Sequence, residues 1–212
     1  MRVCGMLEVM VEGPWITPPP PGLLTGTEVI AGASATVRDF WAWALSNLRS
    51  NAVRGMLAEY LVACAVGSRG RPRVDWDAYD VLTPRQERIE VKSGAYLQAW
   101  EQRRESAIIF RGLRAQSWNP RDGYSGGPSY NADVYVFAVL TATEHVGYDA
   151  LDTGQWCFWV LQAGTVRQTN QASIGLARVV KLAGAAVPYA DLAVAIRRAL
   201  DGEPDRECGD AR

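Results

Sequence analysis

Asp80, Glu90 and Lys92 are the residues whose types and spacing suit hydrolytic chemistry. They fall in residues 76–93, which read as a hairpin with an acid on one strand and Glu90-Val91-Lys92 on the next. Successive side chains of a strand point to opposite faces, so Glu90 and Lys92 share one face while Ile89 and Val91 turn to the other, toward a core. If Thr83 to Glu87 form a loop containing Pro84, Leu82 lies opposite Arg88 and Asp80 opposite Glu90. Directly opposed side chains stand about 5 Å apart. Two carboxylates that close repel unless a cation lies between them or one keeps its proton. Their hard oxygens suit Mg²⁺, which commonly binds through one or two carboxylates plus substrate phosphate. A water on such an ion loses its proton more readily, and Lys92 is placed to orient it. Together with neutralisation of a phosphoryl group, that is the chemistry of phosphodiester hydrolysis.

A helix is expected upstream. Val53, Met56, Leu57, Tyr60, Leu61 and Cys64 follow the 3.6-residue period of a core-packed helix. From Gly55 through Ser68 the only charged side chain is Glu59, set among small residues such as Ala52, Gly55 and Ala63. A lone carboxylate on an apolar helix is costly to bury without a cation or donors, so Glu59 needs a partner. The alternatives are a pair with Arg54 or exposure at the helix edge. Downstream, residues 107–110, 134–140 and 156–161 read as strands, the middle one a near-continuous apolar run of the kind buried on both faces. Helices are expected over residues 36–49 and 189–200, the latter with Leu192, Ile196 and Ala199 on one side. The class is α/β, a covered sheet flanked by helices.

A helix with Glu59, a strand with Asp80, then a strand with Glu90-Val91-Lys92 is an order that resembles the PD-(D/E)xK nuclease superfamily over about residues 36–165. The resemblance implies a restriction-endonuclease-like mixed central sheet. Glu59, Asp80, Glu90 and the Val91 carbonyl would hold Mg²⁺ or Mn²⁺, with Lys92 at the attacking water and DNA as substrate. Tyr79, rather than Pro, precedes Asp80. Asp77 is a rival on the opposite pleat face. Some branches place a Gln in a helix after the Lys, and Gln98, at the start of the polar stretch 98–105, is the matching candidate. A binding or assembly module of the same fold without turnover is the alternative. Cutting both strands with one site per chain implies a homodimer.

Composition fits one ordinary domain. The 212 residues are 48% hydrophobic, enough for a sizeable core, with a net charge of −1 that announces no nucleic acid globally. Basic residues cluster locally, at Arg69, Arg71 and Arg73 and again from Arg103 to Arg121. Residues 114–131 read as a loop; Arg111 just ahead of it and Arg114, Trp118 and Arg121 within it would contact nucleic acid, arginine on phosphate and aromatic on base. Residues 1–30 form a Pro-rich arm, 31–200 the domain and 201–212 a polar tail expected to be disordered. Cysteines at 4, 64, 157 and 208 lack zinc-site spacing and suggest reduced thiols in the cytoplasm. No apolar run is long enough for a transmembrane helix, so no membrane partner is expected.

Gly123-Tyr124-Ser125-Gly126-Gly127 fits the nucleophile-elbow pattern, with Asp133 and His145 following. That elbow requires a buried strand before the Ser and a helix after it. Asn119-Pro120 before it and Pro128 after it argue for turn chemistry instead, leaving His145 in a loop.

Overall fold

The computed structural model describes residue 16 and residues 18–75, 77–119 and 123–202, with the backbone alone at 117–119 and 125. The chain opens with helices α1 (Val37–Leu45) and α2 (Asn51–Ala65), followed by strands β1 (Val81–Leu82) and β2 (Arg88–Ala95). Three short strands come next, β3 (Ile109–Arg111), β4 (Ala115–Asn119) and β5 (Gly123–Ser129). After β6 (Val134–Leu140) and β7 (Trp156–Gln162) come α3 (Ala163–Gln168), β8 (Ser173–Gly175), α4 (Leu176–Ala183) and α5 (Leu192–Asp201).

The central sheet runs β1-β2-β6-β7 and is mixed. β2 pairs parallel with β6, and both outer pairings are antiparallel. Alternation along the strands builds two cores. Ile89 and Val91 of β2, with Val134, Val136 and Ala138 of β6, face Ala58 and Val62 of α2 and Leu192 and Ile196 of α5. Tyr135, Phe137 and Val139 face Phe110 of β3, Val166 of α3, Ile174 of β8 and Val179 of α4. All seven residues of β6 are buried, as the apolar run predicts for a strand covered on both faces.

Helix α2 turns a different stripe to the sheet than its largest residues suggest. Ala58 and Val62 are fully buried, whereas Tyr60 is 54% exposed. Small residues let the helix lie close on β2: a Cβ built on Gly55 would stand 3.8 Å from the Ser93 hydroxyl. Helix α1 begins at a reciprocal capping box between Thr36 and Asp39 and ends at Leu45, short of the expected residue 49, with none of its residues buried.

Other expectations need correction. β3 does not join the central sheet but pairs with β8 in a separate ribbon over its second face. Residues 98–105 are not helical, because the Gln102 side chain satisfies local backbone groups: its oxygen accepts from the Gln98 N–H (2.6 Å) and its amide donates to the Tyr96 carbonyl (3.2 Å). Residues 114–131 are not an irregular loop. β4 and β5 pair as a hairpin there, eased by positive φ at Gly123 and Gly126. Ser125 lies within β5, without the strand-to-helix turn an elbow needs. Residues 1–15, 17 and 203–212, which include most of the expected arm and tail, lie outside the described residues. Among the described residues no helix is long and apolar enough to cross a membrane.

Candidate active site

The hairpin forms with the register its sequence predicts. Leu82 pairs with Arg88 and Val81 with Ile89, and the Thr83 N–H closes the turn on the Glu87 carbonyl at 2.9 Å. Asp80 lies just ahead of β1, its N–H on the Ile89 carbonyl at 3.0 Å. Because β1 is so short, the edge of β2 beyond Ile89 has no strand to pair with. Asp80 fills part of that gap, its Oδ2 accepting the Val91 N–H at 2.7 Å. N–H and C=O of one strand residue face the same side, so the Val91 carbonyl also looks out over this open edge.

Glu90 and Lys92 share the opposite pleat face from Ile89 and Val91, and the Lys92 ammonium is ion-paired with Glu90 Oε1. Their side chains are 14% and 21% exposed. The turn after β3 closes over the lysine: Gly112, at φ +69°, would bring a Cβ within 3.8 Å of Nζ. Helix α2 delivers Glu59 to the same neighbourhood. Burial first, and then the Asp80 charge, raise the Glu59 pKa. Burial likewise raises that of Asp80, against the Val91 N–H and the charge of Lys92. Glu90 is pushed up to about 7, by burial first, then by repulsion from Asp80 and, more weakly, from Glu59. Asp80, Glu90, Lys92 and Glu59 therefore form one electrostatic cluster built by three elements. No protein-family model matches the chain, and no curated protein matches it significantly.

A residue read in sequence only as part of a basic group completes the cluster. Arg73 grips Glu59 through two nitrogens, Nε at 2.5 Å and Nη2 at 3.3 Å, and also pairs with Asp75. Glu59 is therefore partnered by Arg73, not by Arg54. The link spans an irregular segment, so no periodicity announces it. Glu59 and Asp80 line a cavity of about 280 Å³ whose wall includes Arg69, Arg71, Arg73 and Leu23. Asp77 lies on that wall as an exposed residue, without the burial of Asp80. Among the described residues no three His, Cys, Asp or Glu side chains converge closely enough to hold a metal ion as they stand.

Gln98 is not brought to the cluster. It sits beyond the other end of β2, its amide donating to the Ala95 carbonyl (3.0 Å) and its oxygen accepting from Arg54 (3.4 Å). Arg111 is exposed at the end of β3. Arg114 donates to the Asn170 carbonyl (3.2 Å) and lies 5.6 Å from the centre of the Tyr130 ring. Trp118 pairs with Tyr124 through its backbone in β4, its side chain not described, and Arg121 lies outside the described residues.

Proposed function

We propose that the chain is a metal-dependent DNA nuclease of the PD-(D/E)xK type. One observation carries the reading: carboxylates from α2, from the residue ahead of β1 and from β2 are buried together beside a half-buried lysine, burial raising the pKa of each and the Asp80 charge adding to the rise at Glu59 and Glu90. Such a cluster is the costly arrangement that a divalent cation relieves. Its donors are hard oxygens, and they fit Mg²⁺ or Mn²⁺. Asp80, Glu90 and the Val91 carbonyl would hold the ion, with Glu59 joining once Arg73 lets go. When bound, the ion supplies an acidified water and neutralises charge on a phosphoryl group. Lys92 orients that water and steadies Glu90, while Arg69, Arg71 and Arg73 give the cavity wall the positive charge that phosphate requires. Cleavage of both strands by one site per chain calls for two copies on the DNA.

A second reading has its own support. Arg73 on Glu59 and Lys92 on Glu90 already offset two of the carboxylates without an ion, which suits a binding module that does not turn over. Cleavage of linear and circular DNA by the purified chain, with Mg²⁺ and with chelator, decides between the two. The nuclease cuts only with the metal, and Asp80→Asn or Lys92→Ala lowers the rate at least about a hundredfold. Metal-independent retention of DNA with no cutting would select the silent module. Equal cutting by wild type and both variants would end the nuclease reading.

A further inference from the structure

A second concavity, of about 360 Å³, opens where Gln98 and His145 follow the ends of the parallel strands β2 and β6, and Arg49, Trp100 and Glu101 also line it. It lies at the opposite end of β2 from β1 and Asp80. Behind its wall stands Arg54, only 2% exposed. Arg54 donates through Nη1 to the Arg49 carbonyl (2.9 Å) and through Nη2 to Asn51 and to Gln98 Oε1 (3.4 Å), while its Nε has no partner. Every one of those acceptors is neutral.

Among the described residues no carboxylate lies within ion-pair distance of Arg54 or of Arg49. Arg49 is held over the Tyr148 ring at 4.2 Å, and its own buried Nε is unpartnered. Burying a cation without a counter-charge is costly, because the lost hydration is not replaced. Arg54 pays more than usual, because it sits in the first turn of α2, where the helix dipole is positive and Ser50 makes no capping side-chain bond. Two guanidinium groups at one helix start thus lack a counter-ion, and the acid of the lining, Glu101, is exposed. Trp100, 58% exposed, offers a flat face at the rim.

We propose that this pocket binds a phosphate group carried on a nucleoside, as a free nucleotide or as part of a nucleic-acid strand. Arg49 and Gln98 contact the phosphate, Arg54 supplies charge from behind, and Trp100 stacks on the base. The site needs no metal and is independent of the carboxylate cluster, so it stands whether or not the chain cuts DNA.

Thermal unfolding and calorimetric titration of the full chain in Mg²⁺-free buffer at fixed ionic strength test it. The probes are inorganic phosphate, adenosine monophosphate, and a single-stranded oligonucleotide with and without a 5′ phosphate. The melting temperature should rise with phosphate and not with chloride, and the mononucleotide should bind at least about tenfold more tightly than phosphate. Arg49→Met should weaken phosphate binding at least about tenfold. Trp100→Ala, a change at an exposed position, should remove only the nucleotide's advantage. Asp80→Asn should leave the phosphate and mononucleotide responses intact. Oligonucleotide protection that Arg49→Met weakens identifies a strand as the source, and its dependence on the 5′ phosphate says whether an end is read; protection by the mononucleotide alone identifies a free nucleotide. No response to phosphate in the wild type, a full response to phosphate in Arg49→Met, or a phosphate response lost in Asp80→Asn would overturn the proposal.

Discussion

Glu90 concentrates the tension of the site in one side chain. Its folded-state pKa, pushed up to about 7 from an ordinary 4.5, means that the ion-free fold holds a proton there more tightly than the unfolded chain does. That contribution to stability is complete below the unfolded pKa and disappears as pH rises through about 7. Without metal, the protein should therefore lose stability between about pH 5 and 8, by at most about 1.4 kcal/mol per pH unit from this group. Asp80 and Glu59 act in the same direction, so Glu90→Gln should flatten the slope without abolishing it. Urea unfolding at several pH values in chelator reads this directly. Parallel slopes in the two proteins would show that Glu90 does not titrate as described. The alternation that pairs Glu90 with Lys92 was legible in the sequence, because strand geometry dictates it. Arg73 was not, since its link to Glu59 runs through a segment with no repeating geometry, and the reach of a long side chain from such a segment leaves no pattern.

Among elements, the ribbon of β3 and β8 sets how the Lys92 face is covered. Gly94 lies two residues on from Lys92 on that same face, and a Cβ there would stand 2.9 Å from Ile108 Cγ2. Gly94→Ala should cost about 1–3 kcal/mol of stability through overpacking. Adding Ile108→Val, which removes the outer δ-methyl and leaves room for adjustment, should recover part of the loss; chemical denaturation of both variants tests the contact, and an unaffected Gly94→Ala would mean the ribbon does not press on β2. The hairpin register was readable because Thr83 and Pro84 mark the turn and the flanking residues alternate. The separate ribbon was not: three-residue strands carry too little pattern, and β3 meets a partner more than sixty residues away. The stretch from 98 to 105 misled for a different reason. Its polar composition suits a solvated helix, but Gln102 competes for the backbone groups such a helix would use.

Across the whole molecule, the C-terminal helix braces the turn that places Asp80. Arg197 of α5 grips both oxygens of Glu87, at 2.7 and 3.1 Å, and Glu87 also accepts from the Thr83 hydroxyl. Arg197 holds the Glu87 carboxyl below its ordinary pKa, with Thr83 adding to the effect. Arg197→Ala should speed hydrogen exchange at the amides of residues 83–89 while the buried amides of β6 stay protected. Unchanged exchange in the turn would mean α5 does not brace it. Leu23, ahead of α1, forms part of the wall of the cavity that Glu59 and Asp80 share. A solubility partner or affinity handle fused upstream would thus run on from a segment that lines this cavity, so the choice of fusion end is itself a variable in any assay of this protein.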